Sequence, residues 1–395
     1  LLLDALLGTG LTGAAKGIAA SLITAMNEAG RPVVALDLPS GLGSDDGLLR
    51  GPCIRATCTV TFALPKRSLL LYPAAAAAGE LVVADIGMPA PLLRDPAVLV
   101  ELLEPADVAA AFPPRDPDAH KGSYGHVLVV AGSVGKTGAA ALCSLAALRV
   151  GAGLVTLALP ESLNDAMEAK LTEVMTVPLP ETEERTLSRA ALEKLLPLLE
   201  GKAAVAVGPG LSTHPSTAAL VWELVAAARL PLIVDADGIN ALAHRLEALG
   251  KVTAPLVLTP HPGELSRLLT VGTQEVQEQR VPIAQKVAQT YNLTLVLKGA
   301  RTVVASPKGQ VAINPTGNPG MATAGAGDVL TGILAGLIAQ GGDLELKTRA
   351  GVYLHGLAGD LAADALTAEA MLAGDILERL PEAIRRVKGA ARPAG

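Results

Sequence analysis

Stretches of consecutive apolar residues alternate with helical patterns along almost the whole chain. Nine of these stretches are predicted strands: 32–40, 57–64, 80–87, 126–132, 153–160, 204–210, 231–238, 254–264 and 293–300. They are continuous rather than alternating, which is typical of parallel strands buried on both faces. The pattern therefore predicts an α/β fold with open, doubly wound parallel sheets in three-layer domains.

Two regions add detail to this pattern. Residues 138–160 come closest to a membrane span, but Arg149, Gly151 and Gly153 interrupt the apolar run. We predict a buried helix followed by a strand there, and no membrane partner. Residues 302–314 predict a β-hairpin whose turn is Pro307-Lys308-Gly309.

A proline-rich segment marks a predicted domain boundary. Seven prolines occur between Met88 and Ser123, so we place a linker there and predict domains at residues 1–95 and 96–395. The sequence starts LLLD, without the basic segment of a signal peptide. Since the first domain is also small for this architecture, we expect the chain to begin inside a domain.

Polar and glycine residues gather where the predicted strands end. They are Asp37, Ser40, Gly208, Gly210, Asp235, Asp237, His261, Glu264 and Lys298. In open α/β sheets, ligands bind in the crevice at the carboxyl ends of the strands. Five strands directing such residues to one edge indicate a ligand-binding site.

Composition narrows the function classes. The 395 residues are 50% hydrophobic but only 2% aromatic, and the net charge is −6 without a basic block. Both features argue against a nucleic-acid partner, which needs positive charge and stacking platforms. The three cysteines, Cys53, Cys58 and Cys143, form no CxxC pair, which predicts a reducing compartment and no structural zinc.

The segment NPTGNPGMATAGAGDVLTGILAG, residues 314–336, carries the most distinctive candidate chemistry. Four glycines from Gly317 to Gly327 precede Asp328, and an apolar helical run follows. Glycines let a ligand approach the backbone amides, and a helix start favours phosphate. An aspartate at this position can be a simple N-cap. Since a cap needs no glycine-rich loop before it, Asp328 is our first candidate for a catalytic base.

Four other motifs follow predicted strands. VAGSVGKTG (130–138) has Val130 where a phosphate-binding P-loop needs its first glycine, which leaves a glycine-rich turn near a ligand. GPG (208–210) is an ordinary loop or a source of ligand-binding amides. HPGE (261–264), with Arg267, caps a helix or binds a ligand, and we favour the ligand. KGART (298–302) is a solvated basic pair or, as we favour beside the glycine-rich loop, a clamp for nucleotide phosphates.

The first domain has two candidate loops. LLLDALLGTGLTG (1–13) ends a strand at Asp4, and DLPSGLGSDDG (37–47) contains Asp37 and Ser40. Two acids and a hydroxyl can bind a cation, but Asp, Ser and Gly are also common turn residues. Spacing alone leaves both interpretations open.

Together these motifs resemble the bifunctional NAD(P)H-hydrate repair enzymes. DALLGTGLTG, VVALDLPSG, TVTFALPKRSLL and GELVVADIG resemble the second half of their epimerase domain. KGSYGHVLVVAGSVGKTGAA, ALRVGAGLVTLALP, DADGINAL, HPGELSRL, VLKGART and NPGMATAGAGDVLTG resemble their dehydratase domain, which has a ribokinase-like fold. The family's early epimerase loop, rich in Asn and Gly, has no counterpart in this sequence, so the resemblance implies an N-terminally incomplete epimerase domain.

The resemblance implies roles for individual residues. Hydrated nicotinamide nucleotide would contact Gly210, His261, Pro262, Gly263, Glu264, Leu265, Ser266, Arg267 and Asp328 in the dehydratase domain. Adenine nucleotide would contact Lys298, Gly299, Ala300, Arg301, Thr302, Asn318, Pro319, Gly320, Met321, Ala322, Thr323, Ala324, Gly325, Ala326 and Gly327. In the epimerase domain, substrate would contact Gly8, Thr9, Gly10, Leu11, Thr12, Gly13, Ala14 and Asp37, and potassium would contact Asp4 and Ser40.

The implied activity is repair of the NADH and NADPH hydrates, NADHX and NADPHX. The dehydratase would use ADP or ATP with Mg²⁺, the epimerase would use K⁺, and we expect a cytoplasmic homo-oligomer. Two alternatives remain at this stage. One is a small-molecule kinase of the same fold. The other makes the first domain a non-catalytic scaffold, like the related domains of RNA-decapping proteins.

Overall fold

The computed structural model describes residues 1–93, 95–243 and 245–390. The chain forms two units. The first comprises Leu1–Leu99 and Gln277–Gln279, and the second comprises Val100–Val276 and the chain from Arg280 onward. In the described part of the chain, no helix is long and apolar enough to cross a membrane.

The first unit is built on a four-stranded parallel sheet. Its strands, in their order across the sheet, are β1 (Leu2–Asp4), β2 (Val33–Leu36), β3 (Cys58–Phe62) and β4 (Glu80–Ala84). Its helices are α1 (Gly17–Glu28) and α2 (Ala90–Leu93). Ile23 of α1 is buried against Val33 and Ile54, so burial of one apolar face holds this helix on the sheet. The carboxyl ends of β1, β2 and β3 share one edge.

The second unit is built on a ten-stranded sheet. Its strands in chain order are β5 (Val100–Leu102), β6 (His126–Val130), β7 (Leu154–Pro160), β8 (Met175–Leu179), β9 (Ala204–Val207), β10 (Leu232–Val234), β11 (Leu256–Leu258), β12 (Thr294–Leu297), β13 (Val303–Ala305) and β14 (Val311–Ile313). Their order across the sheet is β5-β14-β13-β12-β11-β10-β9-β6-β7-β8. Among the strands of this sheet in the described residues, only β13 runs antiparallel to its neighbours.

Helices connect these strands. They are α3 (Pro105–Ala109), α4 (Thr137–Arg149), α5 (Asn164–Lys170), α6 (Leu192–Leu198), α7 (Pro215–Ala227), α8 (Asp237–Leu242), α9 (Leu246–Leu249), α10 (Pro262–Leu269), α11 (Thr273–Glu278), α12 (Arg280–Tyr291), α13 (Ala326–Ala339), α14 (Leu344–Leu366) and α15 (Ala373–Ala390). Helix α13 is buried on all sides from Val329 to Ala339. An apolar sequence without a polar face predicts this central position.

Two glycines let α13 lie directly against α4. A Cβ on Gly332 would lie 2.0 Å from the Cys143 carbonyl oxygen, and one on Gly336 would lie 2.4 Å from that of Ala147. Only glycine allows such an approach of two helix backbones. Because α13 is clamped along its length, its first turn, which contains Asp328, has a defined position.

The sequence predicted most of these elements. Each of the nine predicted strands contains a strand, residues 138–160 form α4 and β7, and the predicted hairpin is the pair β13 and β14. Strands β5 and β8 were not predicted. The proline-rich segment is not simply a linker, because it contains α2, β5 and α3, and the two units divide between Leu99 and Val100.

Candidate active site

The glycine-rich segment forms a loop that leads into α13. The Asn318 side chain accepts a hydrogen bond from the Gly320 amide at 2.9 Å and caps the short turn Pro319–Met321. Gly325 has a φ of +92°, and a Cβ there would lie 2.6 Å from Leu142 Cδ1. Glycine is therefore required where the loop turns into the helix. The helix begins at Ala326 and places Asp328 in its first turn.

Two side chains of helix α14 hold this loop in place. The Asp360 carboxylate accepts hydrogen bonds from the Gly317 amide at 2.9 Å and from Asn318 Nδ2 at 3.0 Å. His355 Nε2 lies 2.9 Å from the Ala326 carbonyl oxygen. Burial lowers the pKa of His355 to about 4, so the ring is neutral and donates to this carbonyl. Sequence reasoning missed both residues, although polar side chains within a largely buried helix were a usable signal.

Lys298 lies at the centre of a buried charge cluster. Its Nζ is 2.6 Å from Asp235 Oδ1 and 3.8 Å from Glu264 Oε2. Burial alone would lower the pKa of Lys298, but the two carboxylates raise it above its ordinary value. Asp235 is 1% exposed, and its Oδ2 accepts a hydrogen bond from Thr331 Oγ1 at 2.7 Å. The sequence placed Asp235 at a strand end but did not identify it as a site residue.

Asp328 has the properties of a general base. Within the described residues its carboxylate accepts no hydrogen bond, and it is only partly buried. Burial, followed by the negative charges of Asp235, Asp237 and Glu264, raises the pKa of Asp328 to about 7, while Lys298 opposes the shift. A carboxylate with this pKa exchanges a proton near neutral pH, where a catalytic base is most effective.

The HPGE segment begins α10 with a reciprocal cap. His261 Nδ1 accepts from the Gly263 and Glu264 amides at 3.0 and 3.2 Å, and Glu264 Oε2 accepts from the His261 amide at 2.8 Å. Pro262 occupies the first turn, where its missing N–H costs nothing. The helix-capping alternative for His261 is therefore correct, and it does not exclude ligand contact because His261 is exposed.

The rest of this segment divides between core and surface. Leu265 is fully buried in the core, and Ser266 Oγ donates to the Val271 carbonyl at 2.6 Å. Arg267 is exposed and donates its Nε to Asn240 Oδ1 at 3.2 Å. Of these three predicted substrate-binding side chains, that of Leu265 is buried, that of Ser266 is half-buried and that of Arg267 is exposed.

Gly210 packs against the glycine-rich turn formed by residues 132–138. Its φ is +64°, and a Cβ there would lie 2.8 Å from the Lys136 carbonyl oxygen. Ser133 Oγ donates to the Gly210 carbonyl at 2.7 Å. The glycine-rich turn, which lacks the first glycine of a P-loop, is therefore in contact with Gly210, a residue predicted to bind substrate.

The predicted nucleotide segment at residues 298–302 is held by two arginines. Buried Arg280 donates to the carbonyls of Leu297 and Lys298 at 3.0 and 3.2 Å. Arg301 has a left-handed backbone, with φ +59°, and donates to the Pro315 carbonyl. The guanidinium group of Arg301 thus fixes the chain before the glycine-rich loop, while Gly299 and Ala300 are exposed.

In the first unit, Asp4 and Ser40 form a buried oxygen cluster. Ser40 donates its Oγ to Asp4 Oδ1 at 2.6 Å and its amide to Oδ2 at 2.7 Å. The Leu7 carbonyl oxygen lies 3.3 Å from Ser40 Oγ. A carboxylate, a hydroxyl and a carbonyl are oxygen ligands suited to a hard cation. The structure brings this predicted pair together.

Asp37 lies at the same sheet edge and has a cationic partner. Its backbone is left-handed, with φ +65°, and its Oδ1 contacts Lys66 Nζ. Burial raises the pKa of Asp37, but hydrogen bonds from Lys66 and the Phe62 amide outweigh it, so the net shift is downward. Lys66 is a further candidate site residue, which sequence reasoning missed. The loop of residues 8–14 leaves space around Gly8, Gly10 and Gly13.

Comparison with known families agrees with both units. The profile of the NAD(P)H-hydrate dehydratase family matches residues 127–382, and that of the YjeF-related protein N-terminus matches residues 1–68. The bifunctional NAD(P)H-hydrate repair enzyme Nnr of Moorella thermoacetica is 51% identical over 388 residues, which cover 98% of this chain and 73% of the relative. The enzyme of the same name from Thermofilum pendens is 43% identical over 385 residues, with the same coverage.

A solved structure matches the fold. The ADP/ATP-dependent NAD(P)H-hydrate dehydratase of Bacillus subtilis, co-crystallised with ATP and Mg²⁺, is 34% identical with a TM-score of 0.65. The match covers 73% of this chain and 99% of the Bacillus protein. A ribokinase-like protein from Enterococcus faecalis is 27% identical with a TM-score of 0.64. The expected ribokinase-like fold is confirmed.

Proposed function

Because this chain belongs to the bifunctional NAD(P)H-hydrate repair enzymes, we propose that its second unit dehydrates hydrated NADH and NADPH with Asp328 as catalytic base. The reaction consumes ADP or ATP and releases phosphate. The observation that carries the assignment is the Asp328 carboxylate, with a pKa near 7, at the start of α13 beside Lys298. We assign residues 1–95 to the epimerase domain and residues 96–395 to the dehydratase domain.

The first step transfers a phosphoryl group to the substrate. Asp328 removes the proton from the hydroxyl group of the hydrated ring, and the oxygen forms a bond to the terminal phosphorus of the nucleotide. The bond from that phosphorus to the bridging oxygen breaks, and AMP leaves when ADP is the donor. A positioned general base contributes about 10²–10⁴ in rate.

The glycine-rich loop stabilises the transferred group. The amides of residues 324–327 and the positive end of the α13 dipole face the developing negative charge. Lys298 adds a fixed positive charge, held by Asp235 at 2.6 Å. Mg²⁺, when bound, would neutralise charge on the phosphates. The described residues contain no group of three acidic, His or Cys side chains able to hold a metal, so we expect Mg²⁺ to enter on the nucleotide.

The second step restores the dihydronicotinamide ring. The bond between the ring carbon and the phosphate oxygen breaks, and phosphate leaves with the bonding electrons. The neighbouring ring carbon loses a proton, and the electrons of that carbon–hydrogen bond form the ring double bond. The products are NADH or NADPH, inorganic phosphate and AMP, or ADP when ATP is the donor.

The first unit carries the epimerase chemistry of this proposal. Asp37 is kept ionised by Lys66, so it can accept a proton from a substrate bound at residues 8–14. Asp4, Ser40 and the Leu7 carbonyl would hold K⁺, which would bind and orient substrate. We further propose a cytoplasmic homo-oligomer. Light scattering of the purified protein tests the oligomer, and a monomer would contradict it.

To test the dehydratase function, the purified protein is incubated with both epimers of hydrated NADH, with ADP and with Mg²⁺. We expect the NADH absorbance to return while AMP and phosphate appear in equal amounts. A stable phosphorylated product without free phosphate would instead support the kinase alternative. Conversion that stops near half would show that the first unit does not epimerise the substrate under these conditions.

The variant Asp328→Asn tests the role of Asp328 as the catalytic base. It keeps the size and hydrogen-bonding capacity of the side chain but removes the base. We expect turnover to fall by roughly 10²–10⁴-fold while ADP binding, measured by calorimetry, changes little. Turnover equal to that of the unaltered protein would exclude Asp328 as the base.

A further inference from the structure

Beside the Asp328 cluster, four side chains form a chain of polar contacts between two exposed cations. Lys136 Nζ lies 3.0 Å from Asp237 Oδ2, and Asp237 Oδ1 accepts from Asn240 Nδ2 at 3.3 Å. Asn240 Oδ1 in turn accepts from Arg267 Nε at 3.2 Å. One cation comes from the glycine-rich turn before α4 and the other from α10.

The central carboxylate does not depend on Lys136 for its hydrogen bonds. Asp237 Oδ2 already accepts from the Ser212 amide at 2.8 Å, and Oδ1 accepts from Asn240. The Lys136 side chain is 50% exposed, whereas that of Asp237 is 15% exposed. An exposed ion pair of this kind contributes about 0–1 kcal/mol to folding, so stability alone does not explain the arrangement.

Both cations have room for a second partner. The ammonium group of Lys136 has three donors, of which Asp237 takes one. Arg267 donates through Nε, and within the described residues its two terminal NH₂ groups make no hydrogen bond. A guanidinium with free terminal groups is suited to a bidentate contact with phosphate.

The two cations adjoin the site. A Cβ on Gly210, a predicted substrate residue, would lie 3.0 Å from Lys136 Cβ. The charge of Asp237, between the cations, contributes to the raised pKa of Asp328. The charge of Arg267 likewise helps to lower the pKa of His261 in the same site.

The negative charge of the substrate favours contact with these two cations. Asp235, Asp237, Glu264 and Asp328 give the reacting end of the site an acidic character, offset by Lys298. A nicotinamide dinucleotide carries a negatively charged diphosphate, and the NADPH form carries a further phosphate on its ribose. These groups are repelled by the carboxylates and attracted to exposed cations. Lys298 is paired with Asp235 and is assigned to the transferred phosphoryl group, so Lys136 and Arg267 remain for the phosphates of the dinucleotide.

We propose that Lys136 and Arg267 form a phosphate subsite that binds the diphosphate or the ribose phosphate of the hydrated dinucleotide. The inference rests on the proposed dehydratase function and adds a substrate-binding role for the glycine-rich turn. The Asp237–Asn240 pair holds the two cations apart and in place. The subsite acts on substrate affinity and takes no part in the chemical step.

Lys136→Met tests the subsite, because it keeps most of the side-chain volume and removes the charge. Dehydration kinetics are measured with NADHX and with NADPHX at saturating ADP. We expect KM for at least one hydrate to rise about tenfold, the loss of one charge-assisted contact, with kcat and KM for ADP within about twofold. A rise for both hydrates assigns the subsite to the diphosphate. A rise for NADPHX alone assigns it to the ribose phosphate.

Two further variants separate binding from structure. Lys136→Arg retains the charge and should restore KM, whereas a purely structural defect would not be rescued in this way. Lys194→Met removes an exposed charge from α6 and should change neither KM. Unchanged KM for both hydrates in Lys136→Met would overturn the inference. Absence of dehydration by the unaltered protein would instead contradict the proposed function itself.

Discussion

At the scale of single residues, the site depends on one carboxylate that is not satisfied by the chain. Asp4, Asp37, Asp235 and Asp360 all accept hydrogen bonds from nearby donors. Asp328 accepts none within the described residues, and the charges that act on it are three carboxylates and Lys298. Buried polar groups are normally paired, so a half-buried acid with a raised pKa and no hydrogen-bond donor is a candidate catalytic group.

The pH dependence of turnover follows from this environment. A base acts in its deprotonated form, so kcat should rise with pH through about 7, the pKa of Asp328. Asp235→Asn removes the negative charge that raises the pKa of Asp328 most, and it releases Lys298 from its partner. Both changes favour the ionised form of Asp328, so the rise in kcat should move to lower pH. The measurement is kcat against pH at saturating substrates.

Thr331→Val is the control for this pH shift. It removes the hydrogen bond to Asp235 Oδ2 but no charge, so the rise should stay near its original pH. A shift of equal size in both variants would show that the hydrogen bond, rather than the charge, sets the basicity of Asp328. No shift in Asp235→Asn would contradict the electrostatic account.

Candidate site residues could be identified from the sequence where a motif is local. Asp328 follows its own glycine-rich segment, and the HPGE cap spans four consecutive residues. The partners that adjust these groups are distant in the chain, as in the pairs of Lys298 with Asp235 and of Lys66 with Asp37. Only the fold brings such pairs together, so spacing in the sequence could not identify them.

At the scale of elements, the glycines at 325 and 327 have different roles. An alanine at Gly325 would have a φ of +92° and a Cβ 2.6 Å from Leu142 Cδ1, which predicts a loss of stability of about 1–3 kcal/mol. At Gly327 the nearest atom to a Cβ is Lys298 Nζ at 3.4 Å, an ordinary contact. There, alanine is a better helix former by about 1 kcal/mol, but its methyl group would crowd the phosphate region.

We therefore expect opposite signatures from the two alanine variants. Gly325→Ala should lower the midpoint of thermal unfolding. Gly327→Ala should leave the midpoint unchanged or raise it, while KM for ADP increases several-fold. Calorimetry and steady-state kinetics on the same preparations distinguish them. Normal nucleotide affinity in Gly327→Ala would place the phosphates elsewhere.

Helix α14 provides a second prediction about an element. Asp360→Ala removes both acceptors that hold the Gly317 amide and the Asn318 side chain. The loop would then lose order before nucleotide binds, so KM for ADP should rise roughly tenfold, equivalent to about 1.4 kcal/mol. We expect kcat to change less, because Asp328 lies on α13.

Asp364→Ala, one turn further along α14, is the matched control. Asp364 is exposed, so its removal should change neither KM nor kcat. Equal effects of the two substitutions would indicate a general weakening of the helix rather than a role for Asp360 in holding the loop.

Elements with a strong pattern were predicted from the sequence, and weak ones were not. The central strands are continuous apolar runs because both of their faces are covered, and all nine were found. Strand β5 is three residues long, lies at a sheet edge and contains exposed Glu101. Its short length, and the prolines at positions 96 and 105 on either side, are typical of a linker. Strand β8 is likewise at an edge and contains Pro178.

At the scale of the whole molecule, the division into units predicts which part of the chain dehydrates on its own. A chain starting at Val100 keeps β5, α3 and all the residues assigned to the dehydratase reaction. The Bacillus dehydratase, which matches 73% of this chain over nearly its full length, supports independent folding. We expect this shortened protein to fold and to dehydrate the reactive epimer with unchanged kcat, while conversion of the other epimer is no faster than spontaneous.

A chain starting at Pro113 provides the contrast. It lacks residues 100–112, which include β5 and α3, so the core loses buried Leu103 and Val108. The Ala111 carbonyl is lost as well. Lys347 is 6% exposed and donates to that carbonyl at 2.6 Å, so its charge would be left buried without an acceptor. Loss of a hydrogen bond made by a charged group costs about 1.5–3 kcal/mol, and loss of the two buried apolar side chains adds to this. For a unit of this size the unfolding midpoint should fall by roughly 10 °C or more. If the two shortened proteins unfold at the same temperature, the proline-rich segment is a linker after all, and the domain boundary lies beyond it.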